Sequence, residues 1–138
     1  MRRLRIGLVL VGLAGCDPRP GPGTPPEAPD PIARGEVLSL ACQVCHSLAE
    51  GGPELVGPNL HGVFGRAAGS VPGFPYSDAL AGTGLVWSEA LLDRWLEDPA
   101  GFLPGTTMAF TGYRSAEDRA ALIGFLVAAT RAGPAVAE

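Results

Sequence analysis

The 138-residue sequence contains no lysine. All ten of its basic residues are arginine, against fourteen acids, for a formal charge of −4. Such a chain has no basic patch for nucleic acid, and electrostatic steering would draw it toward a positive surface. No apolar run is long enough to cross a bilayer, which takes about 20 residues. No internal repeat is visible, and no alternating pattern of the kind that marks a half-buried strand persists. Cysteine is scarce (three residues), as are histidine and methionine (two each), so each has to be accounted for singly.

The longest apolar segment is at the N-terminus. Arg2, Arg3 and Arg5 precede a run from Ile6 to Leu13. Charge followed by a short apolar stretch fits a secretory signal better than a buried first helix. Leu13-Ala14-Gly15-Cys16 follows directly and resembles a bacterial lipobox, in which the chain is cut before the cysteine and the thiol takes a diacylglycerol. Residues 1–15 are therefore expected to be a lipoprotein signal peptide and Cys16 the lipidated residue; the alternative is an ordinary signal with a chance cysteine. Each buried acyl CH₂ contributes about 0.8 kcal/mol, and stable anchoring takes more than one chain. Asp17 resembles a retention signal for the cytoplasmic membrane. Cleavage would remove three arginines and no acid, taking the charge from −4 to −7.

Beyond Cys16 the sequence reads DPRPGPGTPPEAPDP, nearly half proline. It cannot bury a core and is expected to be an extended, semi-rigid spacer over 16–30. At about 3.1 Å per residue it could lift a domain roughly 45 Å from a membrane. The folded domain is expected over 31–138. Asp30 caps a helix whose first residue is Pro31, running to about residue 43. A Gly/Pro-rich irregular stretch covers 51–86. A second helix runs from about Ser88 to Glu97 and stops before Pro99. A last helix runs from about 116 to 131, with Ser115 and Asp118 as a capping box and Leu122, Phe125, Leu126 and Ala129 on one face. Three short helices and a 35-residue irregular stretch make a poor core unless something fills the loop. A large apolar cofactor would supply that core.

Cys42-Gln43-Val44-Cys45-His46 is a C-x-x-C-H motif, which reads as covalent attachment of a c-type haem. Cysteines three apart at a helix end lie on one face and can add to both vinyl groups of one haem edge, while the adjacent histidine reaches the iron. A thiol-redox C-x-x-C would need a βαβ context, which the pattern lacks. A zinc site would need four ligands. Cys42, Cys45, His46 and His61 could supply them on paper, but His46 adjoins Cys45, which makes joint tetrahedral ligation with Cys42 awkward. With Cys16 assigned to lipid, no thiol remains for a disulfide. After Met1 the only methionine is Met108, in Pro104-Gly105-Thr106-Thr107-Met108 between the last two expected helices. A thioether ligand would favour ferrous iron and raise the potential; His61 is the rival sixth ligand, and core filler the alternative use of Met108.

From Gly35 to Phe125 the chain resembles a class I cytochrome c, of the mitochondrial cytochrome c and bacterial cytochrome c2 type. GPNLHGVFGRAAGSVPGFPYSDAL, LLDRWLEDPAGFLPGTTM and LIGFL match in order and spacing. The resemblance implies an all-α fold, three to five short helices around one covalent haem, with His46 and Met108 as axial ligands and electron transfer at the exposed haem edge. It gives Pro58 the carbonyl that accepts the Nδ1 proton of the haem histidine. It gives Arg66, Tyr76 and Trp87 contacts with a haem propionate, Thr106 a place near the inner propionate, and Phe110 the cover of the haem edge. Gly35 and Phe125 match the close crossing of first and last helices.

The sequence departs from that pattern in several places. Leu80 replaces a polar residue near the propionates, Trp95 replaces a tyrosine beside the Met sulfur, and Ser39 replaces an aromatic of the first helix, which points to a weaker helix crossing. Ala100, Gly101 and Thr107 stand where lysines ring the haem edge in mitochondrial cytochrome c. The expected function is that of a one-electron carrier rather than an enzyme, held by lipid on the periplasmic side of a bacterial inner membrane. A quinol-oxidising complex of the bc1 type is the expected donor. A terminal oxidase or photosynthetic reaction centre is the expected acceptor. An electron-transfer subunit of one periplasmic dehydrogenase, or a haem peroxidase with an open iron, are the rival readings.

Overall fold

The computed structural model describes residues 30–131. The expected signal peptide, the lipid attachment at Cys16 and the Pro-rich segment 17–29 lie outside the described residues, as do residues 132–138. Five helices appear in order: α1 (Pro31–Gln43), α2 (Asp78–Ala81), α3 (Glu89–Glu97), α4 (Pro99–Phe102) and α5 (Ala116–Thr130). Asp30 starts α1 by accepting the Ile32 N–H at 3.0 Å, with Pro31 at the first helical position. Ser88 caps α3 through the Leu91 N–H at 3.1 Å.

The dominant helix–helix contact is the crossing of α1 over α5. It depends on Gly35. A Cβ there would run into the Ala121 carbonyl and lie 2.8 Å from the Phe125 Cβ. One turn on, Ser39 is fully buried; its hydroxyl donates to the Glu36 carbonyl at 2.6 Å and accepts from Gln43 Nε2 at 2.9 Å. Two small residues at i and i+4 let the backbones meet, and a buried polar group costs little once hydrogen-bonded. Where an aromatic was expected to strengthen the crossing, Ser39 fills the contact as a buried, hydrogen-bonded small residue. Arg34 clamps the same crossing, donating through Nε to Asp118 at 2.7 Å and through Nη1 to Glu117 at 2.9 Å. From the far loop, the Tyr113 hydroxyl donates to the Leu38 carbonyl at 3.0 Å.

α5 departs from expectation in two places, the first of them because of that clamp. Ser115 does accept the Asp118 N–H at 3.2 Å, but the Asp118 carboxylate is taken by Arg34 rather than turned back to complete a capping box. On the apolar face Leu122 and Leu126 are buried as expected, but Ala129 is exposed. Thr130 takes the buried place beside it, with its hydroxyl donating to the Leu126 carbonyl at 2.7 Å.

α3 is tied to α5 by Arg119, which is 6 % exposed. It donates to Asp93 through Nε at 2.7 Å and to the Tyr113 and Arg114 carbonyls at 3.0 Å each. The long stretch 51–86 is not wholly irregular. It contains α2, capped by Ser77, and its end pairs antiparallel with residues 65–68: Gly65 N–H donates to Trp87 O at 2.8 Å and Trp87 N–H to Arg66 O at 2.9 Å. α4 follows α3 with Asp98 between them, its side chain accepting the Gly101 N–H at 3.1 Å. Packing on the inner faces of α3 and α5 gathers Trp87, Leu92, Trp95, Leu96, Leu122 and Leu126. They form a wall rather than a closed core.

Gly35→Ala should destabilise the protein by about 1–3 kcal/mol, because the added methyl pries α1 off α5. This exceeds the roughly 1 kcal/mol that alanine would otherwise gain in a helix. Urea unfolding followed by tryptophan fluorescence would read it; unchanged stability would mean that the crossing is looser than described.

Candidate haem-binding site

At the end of α1 the Cys42 carbonyl accepts the N–H groups of Cys45 (3.0 Å) and His46 (2.9 Å). This turn brings Cys42, Cys45 and His46 to one wall of a single large cavity. The empty space amounts to about 1350 Å³ with the open solvent at its mouth included. Neither cysteine is in a disulfide, and both are half-buried. Burial pushes the Cys42 thiol above its ordinary range.

His46 is held from two sides. Nδ1 sits 2.6 Å from the Pro58 carbonyl, and since a carbonyl only accepts, Nδ1 carries the proton and the Nε2 lone pair is left for a metal. Gly57, fully covered, lies flat against the ring; a Cβ there would lie 2.6 Å from Nδ1 and 2.7 Å from Nε2. The Gly57 N–H donates to the Cys45 carbonyl at 2.8 Å. Asn59 fixes the loop behind. Its Nδ2 donates to Ser47 Oγ (2.6 Å), the Ala49 carbonyl (2.9 Å) and the Gly52 carbonyl (3.0 Å), and its Oδ1 accepts the His61 N–H at 2.6 Å.

Met108 lies half-buried on the opposite stretch of chain and also lines the cavity. Its N–H donates to Thr106 Oγ1 at 3.3 Å, and the loop is pinned where Tyr113 N–H donates to the Leu96 carbonyl at 2.7 Å. Gly112 makes that return possible: its φ is +90°, and any side chain would strike the Glu97 carbonyl. Phe110 meets Tyr113 edge-on at 5.1 Å.

The other residues singled out in the sequence, Pro58, Arg66, Tyr76, Trp87, Thr106 and Phe110, all line the same cavity. Arg66 has work beyond the expected carboxylate contact, donating to the His61 carbonyl at 3.1 Å and the Asn59 carbonyl at 2.7 Å. Burial holds the Tyr76 phenol above its ordinary range, with Arg66 pulling the other way. Leu80 and Trp95 line the cavity too. Trp95 packs edge-on against Trp87 at 5.5 Å and Phe102 at 6.0 Å. His61 does not line it, and among the described residues no three His, Cys, Asp or Glu side chains converge to hold a metal ion. The four zinc ligands possible on paper are not assembled. Gly57, Asn59 and Tyr113 were given no role by the sequence reading. The Gly-Pro-Asn run held the first two, but neither a missing side chain nor a buried amide announces its neighbours.

A small helical domain that encloses an apolar slot, with two thiols, one imidazole nitrogen and one thioether facing inward, fits a flat, largely apolar iron porphyrin. No family model matches the chain. Individual relatives do. A cytochrome c2 of Rhodomicrobium vannielii is 46% identical over 99 residues, covering 72% of this chain and 78% of the relative. A cytochrome c of Stellaria longipes is 48% identical over 95 residues (69% and 88%). A cytochrome c2 of Blastochloris viridis is 35% identical over 126 residues (91% and 92%). The chain belongs to the class I cytochrome c family. It is an all-α electron carrier, not an enzyme, with one covalent haem c.

Gly57→Ala should push the His46 ring off its seat and lengthen the bond to Pro58. Faster solvent exchange of the Nδ1 proton in NMR of the holoprotein would show it, with a stability loss of about 1–3 kcal/mol. Tyr76 gives a pH dependence. Its folded pKa lies above the unfolded value of 10.0, so its contribution is present below that pH and is lost as pH rises through the folded value. Tyr76→Phe should flatten the alkaline limb of stability against pH, measured by urea unfolding above neutrality.

Proposed function

We propose that Cys42 and Cys45 form the two thioether links to the haem and that His46 and Met108 are its axial ligands. The observation that carries this reading is the convergence of all four on one cavity, with the His46 tautomer set by Pro58. When bound, the haem supplies a one-electron ferric–ferrous couple. The chain's own groups do the rest. Pro58 orients the imidazole and raises its basicity. Met108 offers a soft donor that favours the ferrous state. Arg66, Tyr76, Trp87 and Thr106 supply donors for the propionates, whose charges would be costly to bury unpaired. Phe110 and the tryptophan wall keep water out.

The same reading places the protein on the periplasmic face of a bacterial inner membrane, anchored by lipid on Cys16 after removal of 1–15. Leu13-Ala14-Gly15-Cys16 and the proline-rich 17–30 support it, and a tether raises effective concentration near membrane partners. In a respiratory or photosynthetic chain the donor is a quinol-oxidising bc1-type complex and the acceptor a terminal oxidase or reaction centre.

Met108→Ala should abolish the weak far-red charge-transfer band of the ferric protein and lower its reduction potential. A variant with the wild-type spectrum and potential would remove Met108 from the iron. Mass spectrometry of the mature protein should show a chain beginning at an acylated Cys16 and carrying one haem; a free Cys16 would refute the anchor.

A further inference from the structure

Helix α1 is inside out. Its buried face carries Gly35 and Ser39, while its outward face carries Val37 (66 % exposed), Leu40 (59 %) and Val44 (76 %), at helical spacing. A surface helix ordinarily presents the reverse. The stripe does not stand alone. Ala41, on its edge, is an exposed residue of the cavity wall, and so is Val56, 81 % exposed on the neighbouring turn, where Gly57 N–H reaches the Cys45 carbonyl. The remaining exposed residues of the cavity wall are Ala67, Thr107 and Ala109. The most exposed residues of the cavity wall are therefore uncharged, Arg66 being partly covered, and an apolar helix face runs up to them. Contiguous exposed apolar surface of this kind marks an interaction site.

Charge decides what sits there. Glu36 flanks the stripe on α1, and Glu50 and Glu54 follow it in the chain just before Val56; all three are exposed. The arginine nearest in sequence, Arg34, is held by Glu117 and Asp118, and Arg66 by two carbonyls. A second copy would set acid against acid around a twofold axis. An anionic bilayer would meet the same repulsion, with no lysine to offset it. We propose that this face docks a redox partner protein that presents an uncharged apolar centre bordered by basic residues. It rests on the carrier reading above and adds the chemistry of the partner surface. Apolar contact would then hold the complex, while the acidic border sets orientation and encounter rate.

The test uses the full-length holoprotein and washed membranes from the producing bacterium, with oxidation of the reduced protein followed by stopped flow. Val37→Ser/Leu40→Ser should slow oxidation at least about tenfold, while the spectrum, the potential and the rate with ferricyanide stay unchanged. Glu36→Gln/Glu50→Gln should slow it at low salt, and added salt should slow the wild type. An unchanged rate in the serine variant overturns the proposal. So does faster oxidation with salt or in the glutamine variant, which would mean an acidic partner. A wild-type dimer in sedimentation that the serine variant loses would give the face to a second copy. Serine-sensitive binding of Cys16→Ser protein to phosphatidylcholine vesicles would give it to lipid. If the membranes oxidise no wild-type protein at all, the carrier reading falls and takes this inference with it. If they oxidise wild type and serine variant alike, only this inference falls.

Discussion

The fold depends on burying the walls of one cavity. Trp87, Leu92, Trp95, Leu96 and Leu126 pack side by side along α3 and α5 and the segment entering α3, with Leu122 wholly buried behind them, but the space they face is not closed by protein. A domain this small buries only a modest share of its surface, and apolar walls left wet forgo about 25 cal/mol for every Å². The covalent haem of the family is therefore part of the core, and the loops are built to present walls to it rather than to pack on each other.

That arrangement explains where the polar groups go. Loops that cannot pack on a protein core must satisfy their backbone by other means. Asn59 does this behind His46, and Arg66 joins the same loop from inside the cavity. Arg119 does it where the Met108 loop returns to α5, accepting no role in the cavity but holding the carbonyls of Tyr113 and Arg114. The ligand-bearing segments are thus fixed by buried side-chain hydrogen bonds, and in α1 by a close backbone crossing at Gly35. Small residues inside that crossing leave Val37 and Leu40 of α1 facing out while Leu38 packs inward, so one constraint shapes both the packing and the exposed face.

Much of this was readable in one dimension. The C-x-x-C-H motif, the lone downstream methionine, the helix starts at Asp30-Pro31 and Ser88, and the need for a cofactor to fill a long loop all follow from residue chemistry and short-range geometry. The misses are of two kinds. Some repeat a signal present elsewhere in the chain: Asp98-Pro99 starts α4 just as Asp30-Pro31 starts α1, so the proline that ends α3 also begins the next helix. Others lie beyond local reach. Asp118 has the right spacing for a capping box, but Arg34, 84 residues away, competes for its carboxylate. Ala129 and Thr130 exchange places because helix periodicity gives the face and not the partner that covers it.

The amino-acid order alone pointed to the cofactor, since Cys42, Cys45 and His46 stand at the short spacing that covalent haem attachment requires, and spacing is a property of the chain. The family resemblance named Pro58 as the partner of His46, and the tertiary structure is what brings its carbonyl, from twelve residues on, to 2.6 Å from Nδ1 and so leaves Nε2 free. Tertiary structure also decided that Gly57 must lack a side chain, that Ser39 is buried, and that Val37, Leu40 and Val44 meet solvent. Those facts depend on which surfaces come into contact when distant segments pack, and no local pattern carries that information.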